Sequence, residues 1–494
     1  MFIGGIKLPK KQKSVGLNAI LNAIKTSLSV VFPLITFPYA SRVLGVLNLG
    51  KVDYAQSIEN YFALLATLGI TTYAVREGAK LRENKEKLTQ FANEVFTLNV
   101  ITAVFSYVIM FVLLAISFKL KEYRLLIILQ SLSILFTTIG VDWINTIHED
   151  FLLITVRSIV THIVSMVVLF LFVRSPKDYY IYAMLTVLNN AIIGISNLYY
   201  TRRYTLIKFS FRPIIFQHLK SSIVFFANSL AVSIYVSADT TMLGWMAGDY
   251  YVGIYAVSVK IYNIIKTMLA SLYIVAIPRL SFYAGNGKMD EFKKLYSRML
   301  AYIVLLVLPC MAGLISISRE AILIVSGEEF IAANLSLKIL SLALIFAIFG
   351  GMVSNCLNVP IKRESVTMKA TAISAIINIV LNIFFIPRLQ QNGAAITTVI
   401  SELVVILICA FSFKEWKSVL DFKVILKNML HAFIGMISIF VLCYFISKIN
   451  TIYTIISVFI KIIICVIVYG LELIILKNEC AKEFINRIIK KKKR

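Results

Sequence analysis

The sequence predicts an all-α integral membrane protein with about 14 transmembrane helices, arranged as two parallel six-helix lobes around a central cavity plus two C-terminal helices. Three observations lead there. The chain is 59% hydrophobic with a mean hydropathy of +0.85, whereas an ordinary soluble domain is nearer half apolar. Apolar runs of 18 or more residues recur along its whole length, each long enough to cross a hydrocarbon core of about 30 Å as a helix. The basic residues fall in short segments between those runs rather than on one soluble face.

The runs set helices near 15–43, 53–74, 91–118, 123–146, 152–173, 179–201, 221–246, 251–277, 299–318, 331–358, 365–387, 393–413, 424–447 and 452–476. They are continuous rather than alternating and far longer than a barrel strand of about 10 residues, which argues against a β-barrel. The N-terminal M-F-I-G-G-I-K-L-P-K-K-Q-K is basic, and the apolar run behind it is too long for a cleaved signal peptide, so it reads as a retained first helix.

With the N-terminus placed inside, alternate segments carry 34 lysines and arginines inside against 10 outside. That asymmetry favours cytoplasmic N- and C-termini and supports the helix count, since one miscounted helix would invert every later loop. The formal charge of +25 is therefore read as a membrane signature, with no nucleic acid as partner. The longest inside loops, near 202–220 and 278–298, are about 20 residues, against about 50 or more for a folded catalytic domain. The chain is accordingly read as not an enzyme, with any chemistry confined to the helix bundle. The six cysteines form no C-x-x-C pair and the four histidines are scattered, which points to small core residues and no metal site.

An internal repeat organises the chain. Tyr54, Ala55, Ser57 and Tyr61 match Tyr255, Ala256, Ser258 and Tyr262 at one offset, and upstream Leu44-Gly45 matches Leu243-Gly244. Both copies fall at a junction between helices, with six helices separating them. The alternatives are two parallel halves with a substrate site between them, as transporters are often built, or tight helix packing without duplication. The resulting division is an N-terminal lobe over 1–203, a cytoplasmic linker at 204–220, a C-terminal lobe over 221–414, two additional helices within 415–476, and a basic cytoplasmic tail at 477–494.

Ionisable residues inside membrane helices cost about 2.5–3.5 kcal/mol each on insertion scales, so they face a cavity or a partner. Asn18, Asn22, Lys25 and Ser29 share one face of the first helix. They form either a wet, basic cavity wall or interhelical hydrogen bonds, with Lys25 snorkelling to the surface. Tyr251, Tyr255, Ser258, Tyr262 and Lys266 form a second stripe, with Lys260 on another face. Such tyrosines either stack on sugars or anchor helix ends at the interface. Asp239, beside Ser229, Ser233, Ser237 and Thr240, is either a partner for a cation or a protonatable coupling group, and Glu59, at the repeat position of Lys260, has the same two readings. Glu402 and Lys461 are also embedded. Pro33 and Pro38 each remove a backbone hydrogen bond from the first helix and allow a kink suited to a gate.

The segments F-P-L-I-T-F-P-Y-A-S-R-V-L-G (32–45), R-E-G-A-K-L-R-E-N (76–84), D-W-I-N-T-I-H-E-D-F (142–151), I-T-V-R-S (154–158), D-T-T-M-L-G (239–244) and P-R-L-S (278–281) resemble those of the Wzx-type oligosaccharide flippases of bacterial polysaccharide biosynthesis. These belong to the superfamily that includes the multidrug and toxin extrusion transporters and the lipid II flippases. Asn145 and His148 depart from the pattern, standing where an aromatic residue and a glycine are more usual. The resemblance implies two six-helix lobes that open to one side at a time. It also implies a lipid-linked oligosaccharide, an undecaprenyl-diphosphate repeat unit, moved from the inner to the outer leaflet of the bacterial cytoplasmic membrane. Lys25, Arg42, Lys260 and Lys266 are then candidates for the diphosphate. Asn18, Asn22, Ser29, Tyr255, Ser258 and Tyr262 would line the sugar cavity, and Asp239, Glu59, Pro33 and Pro38 would serve coupling or gating. No cofactor is expected beyond H+ or Na+ coupling. The expected partners are the substrate, membrane lipids, and the polymerase and chain-length proteins of the same pathway. Two rivals remain: a multidrug exporter of the same superfamily, whose cavity should be dominated by buried acids, and a membrane-embedded polymerase or glycosyltransferase, for which Asp142 and the Glu149–Asp150 pair are the only carboxylates in question.

Overall fold

The computed structural model describes residues 15–212, 214–412, 420, 422–449 and 454–483, with the side chains of 15–27, 29, 30, 228, 449 and 454 also outside the description. Among the described residues the chain is helical, with no strand. In order the helices are α1 (Val15–Thr67), α2 (Ile70–Lys80), α3 (Lys85–Ile116), α4 (Arg124–Gly140), α5 (Trp143–Ile147), α6 (Phe151–Phe172), α7 (Tyr179–Tyr200), α8 (Ile215–Met246), α9 (Asp249–Ile274), α10 (Ile277–Gly285), α11 (Met289–Ser316), α12 (Ser318–Val325), α13 (Ala333–Met352), α14 (Glu364–Phe411), α15 (Phe422–Ile449) and α16 (Thr454–Ile475).

Ten spans among the described residues are long and apolar enough to cross a membrane, eleven if the pieces Ile215–Ala227 and Ser229–Met246 of α8 are one. This is compatible with 14 crossings, because two helices are longer than one bilayer. The 48 residues of α14 would extend about 70 Å if straight, and α14 is broken at Gln390 (φ 47°). Its halves fold back on each other: Ser374 Oγ donates to the Ser401 carbonyl at 2.7 Å. The 53-residue α1 is broken at Gly45 (φ 70°, ψ 174°), a conformation that glycine adopts without a Cβ penalty. The backbone stays helical through Pro33 and Pro38, so the break in α1 falls seven residues beyond the second proline.

The chain forms two compact units, one of residues 1–40 and 58–229, the other of residues 41–57 and 230–494. In the first, α4 packs on α7. A Cβ at Gly140 would lie 2.8 Å from Gly194 Cα, and one at Gly194 would lie 2.3 Å from the Phe136 carbonyl. Small residues let two backbones meet where lipid supplies no hydrophobic drive. The core at one end of this unit gathers Tyr73, Phe91, Val95, Trp143, Ile144 and Ile147. Outward, α3 shows Ile101, Val104, Phe105, Val108, Phe111 and Val112, an apolar face suited to lipid.

In the second unit, residues 46–50 of α1 cross the start of α9: a Cβ at Gly253 would meet the Val46 carbonyl at 2.1 Å, and one at Gly50 the Asp249 carbonyl at 1.9 Å. The core gathers Tyr273, Phe292, Tyr296, Met352 and Cys356 around α9, α11 and α13. The C-terminal helices pack onto this unit. Tyr469 Oη donates to the Leu305 carbonyl at 2.7 Å, and Lys461 Nζ pairs with Glu320 at 2.7 Å. Cys443 and Cys465 face each other across α15 and α16, 3.6 Å apart at sulfur, a proximity that their spacing in sequence does not reveal.

Candidate functional site

The second unit carries two polar clusters, two turns of α9 apart, inside its apolar helices. Asp239 on α8 is buried. Its Oδ1 accepts from Asn382 Nδ2 at 2.7 Å, and its Oδ2 accepts from Thr398 Oγ1 at 2.6 Å and from Tyr255 Oη at 3.1 Å. Asn382 Nδ2 also donates to Asn378 Oδ1 at 3.1 Å, and Thr397 Oγ1 donates to Asn382 Oδ1 at 2.5 Å. Two turns along α9, Tyr262 Oη donates to Glu402 Oε1 at 3.4 Å. Lys266 Nζ donates to the same oxygen at 2.7 Å and lies 5.4 Å from the Tyr262 ring centroid. Periodicity explains the clusters: Tyr255, Tyr262 and Lys266 share a face of α9, as do Asn378 with Asn382, and Thr398 with Glu402, on the two halves of α14.

Of the diphosphate candidates, Lys266 is thus held by Glu402. Lys260 interacts with the Asp53 carboxylate. Arg42 donates to the carbonyls of Leu323 and Ile324, at 3.0 and 2.6 Å, the last turn of α12, where a cation is favoured by the helix dipole. The structure brings Tyr255 and Tyr262 into the polar clusters but not Ser258, which joins α9 to α13 through the Ala333 carbonyl (3.0 Å) and Ser336 Oγ (2.7 Å). Glu59 belongs to the other unit, buried and accepting from Ser133 Oγ at 2.8 Å. Asn18, Asn22, Lys25 and Ser29 lie outside the described side chains. Asn378, Asn382 and Thr398 were missed by the sequence reading, although Ser374, Asn378 and Asn382, each four residues apart, carry the signal of one polar helical face.

The carboxylates between α4 and α6 are each tied to a different partner. Arg157 Nη2 and Asn197 Nδ2 donate to Asp142 Oδ1 at 2.8 and 3.0 Å. Arg82 pairs with Glu149 at 2.8 Å, while Tyr200 and Tyr204 donate to Asp150 at 2.5 and 2.8 Å. This arrangement holds the α4–α6 turn to α7 and offers no pair of carboxylates facing one substrate. The two departures from the flippase pattern have local roles in it. Asn145 is buried and donates to Asn197 Oδ1 at 2.7 Å, and the His148 ring stacks on Tyr204 with centroids 3.8 Å apart.

Fold and composition together define a multi-pass helical membrane protein. Its fold matches a lipid II flippase, MurJ, in an inward closed conformation, with a TM-score of 0.73 at 19% identity over 94% of this chain and 100% of the other. It also matches an inward-facing multidrug resistance transporter of the MATE family, with a TM-score of 0.63 at 17% identity over 81% and 99%. The chain belongs to the polysaccharide biosynthesis protein family, whose model matches residues 15–283; the MatE model matches 225–384. A putative O-antigen transporter of Shigella dysenteriae is 21% identical over 79% of this chain and 98% of its own length. A probable low-salt glycan biosynthesis flippase of Haloferax volcanii is 25% identical over 38% and 39%.

Proposed function

We propose that the protein is a flippase for lipid-linked oligosaccharides, moving undecaprenyl-diphosphate repeat units from the inner to the outer leaflet by alternating access, in the service of a cell-surface polysaccharide. The observation that carries this is the near full-length match to a putative O-antigen transporter on a chain with the lipid II flippase fold. We place it in the bacterial cytoplasmic membrane with both termini cytoplasmic, from the 34-to-10 bias of basic residues. Its role is transport rather than catalysis. Polar clusters inside apolar helices lower the barrier to a charged head group by replacing its water with fixed dipoles. Lys266 would serve the diphosphate by exchanging Glu402 for phosphate oxygen, which its one-third exposure allows. Lys25, Arg42 and Lys260 remain further candidates, and the polymerase and chain-length proteins of the pathway are the proposed partners.

Asp239 is the proposed coupling group. Among the described residues its hydrogen-bond partners Asn382, Thr398 and Tyr255 are neutral, and no lysine or arginine forms a salt bridge with it. Carboxylate and hydroxyl oxygens are hard donors, fit for a proton or Na+ rather than a soft metal.

The same acid favours a second reading. The MatE match covers 225–384, the stretch that holds Asp239, and a buried acid suits export of cationic compounds. The two readings separate in membrane vesicles from cells lacking their own oligosaccharide flippase. The flippase reading expects lipid-linked oligosaccharide to become lectin-accessible on the far side when the protein is present. Efflux of a cationic dye without that change would replace it with the exporter reading.

A further inference from the structure

The first unit carries a site of another kind. After Arg203 the chain runs extended along α3, held by a ladder of side chains. Thr205 Oγ1 donates to Thr89 Oγ1, the Lys208 amide to Asn93 Oδ1 and the Ser210 amide to Thr97 Oγ1, each at 2.8 Å. Thr89, Asn93 and Thr97 are spaced by four, so one face of α3 presents them all. Laid down this way, the strap borders two cavities that share one side chain, Arg212. One, of about 570 Å³, is polar: Lys85, Gln90, Asn93, Ser210 and Arg212 line it, with Glu86. The other, of about 580 Å³, is apolar apart from Arg212 and Thr102: Leu98, Ile101, Phe105, Phe211, Phe216 and Leu219 form most of its wall.

The charge and shape specify the ligand. Lys85 and Arg212 are the two cations lining the polar cavity, both exposed, with Glu86 in the same wall. Glu94, 3.9 Å from Arg212, is already engaged by Gln90 at 3.0 Å and His218 at 3.1 Å. A singly charged phosphodiester fits the two exposed cations, since the acid beside Arg212, Glu94, is only 3% exposed. Free phosphate would fill only the polar cavity, and a hydrocarbon only the apolar one. Phe211 and Phe216 are 77% and 74% exposed, which is the behaviour of rings at a lipid interface.

We propose that this is a binding site for one anionic glycerophospholipid of the bilayer, with its phosphate between Lys85 and Arg212 and one acyl chain against Phe105, Phe211 and Phe216. The lipid pins the strap, which leads into α8, to α3. The site lies wholly in the first unit and is separate from the proposed coupling group.

The test is native mass spectrometry of the full chain in detergent, titrated with phosphatidylglycerol or with phosphatidylcholine of the same acyl chains. Wild type is expected to retain one phosphatidylglycerol in preference to phosphatidylcholine. The Lys85→Ala/Arg212→Ala variant is expected to bind that first phosphatidylglycerol about tenfold more weakly, the scale of a lost charged hydrogen bond, with phosphatidylcholine unchanged. Lys85→Ala alone, at the exposed start of α3, separates loss of binding from loss of fold and should weaken retention severalfold. Equal retention of the two lipids, or retention unaffected by the substitutions, overturns the proposal. Displacement of bound phosphatidylglycerol by undecaprenyl diphosphate at equal concentration also overturns it, by assigning the site to cargo.

Discussion

Lys266 and Glu402 meet at 2.7 Å, joining α9 to the second half of α14 across 136 positions of sequence. A cation selected from sequence as a phosphate ligand is therefore already paired in this conformation, and substrate must compete with the carboxylate for it. The pair is one-third exposed on the lysine side, so its net worth is nearer a surface bridge than a buried one, about 1 kcal/mol. A double-mutant cycle of Lys266→Ala and Glu402→Gln, read by thermal unfolding in detergent, should give that coupling. Glu402→Gln alone should strengthen binding of undecaprenyl diphosphate by freeing the ammonium, and weakened binding would remove Lys266 from the substrate site.

Lys461 and Glu320 form a drier pair, with the lysine side chain only 2% exposed. Removing one member strands a charge. Lys461→Met should destabilise the protein by about 3 kcal/mol, and Lys461→Met/Glu320→Gln should recover most of the loss. Unfolding midpoints of the three proteins decide it; equal midpoints for the single and double variants would mean that the pair does not hold α16 to α12.

Asp239→Asn keeps the shape of the cluster and removes its charge. Transport measured under an imposed Na+ or pH gradient should fall at least about tenfold and lose its dependence on that gradient. A variant that still responds to the gradient would place coupling elsewhere.

The turn between α4 and α6 carries one pH dependence. Burial pushes the His148 imidazole below its usual value; Arg82 adds to this, against the opposing Ile144 carbonyl and Asp150. A group with a depressed folded pKa stabilises the fold above its unfolded value and loses that contribution as pH falls. His148 therefore costs stability as pH drops below about 6.5. Burial raises the Asp142 carboxyl, but Arg157 and the amides of Asn197 and Asn145 outweigh it, and its pKa is lowered. Its contribution is complete above about pH 4 and is lost below. Thermal midpoints of wild type should thus decline between about pH 7 and 5, and His148→Phe, which keeps a ring against Tyr204, should flatten that decline.

The legible part of this protein was its period and its ionisable exceptions. Continuous apolar runs gave an all-helical membrane fold, and Asp239, Glu402, Lys266 and Lys461 stood out because charge inside such runs is costly. Their partners did not stand out. Lys461 finds Glu320 across 141 positions, and Asp239 finds Asn382 across 143. Helical periodicity tells which residues share a face but not which face opposes it. For the same reason the stripe on α9 did not reveal that Ser258 bonds to α13. The backbone break in α1 lies at Gly45, within the junction the apolar runs left between helices ending near 43 and starting near 53, and the backbone stays helical through Pro33 and Pro38. The strap on α3 was invisible, since extended chain against a helix has no periodic signature.

Movement of a lipid-linked oligosaccharide can be measured on purified protein in proteoliposomes with a fluorescent undecaprenyl-diphosphate oligosaccharide, followed by dithionite quenching of the outer leaflet. Wild type should equilibrate the lipid between leaflets, so that quenching proceeds past the outer-leaflet half, and Lys266→Ala should slow this while remaining folded. Quenching that stops at the outer-leaflet half with wild type, in vesicles where the same protein exports a cationic dye, would contradict it.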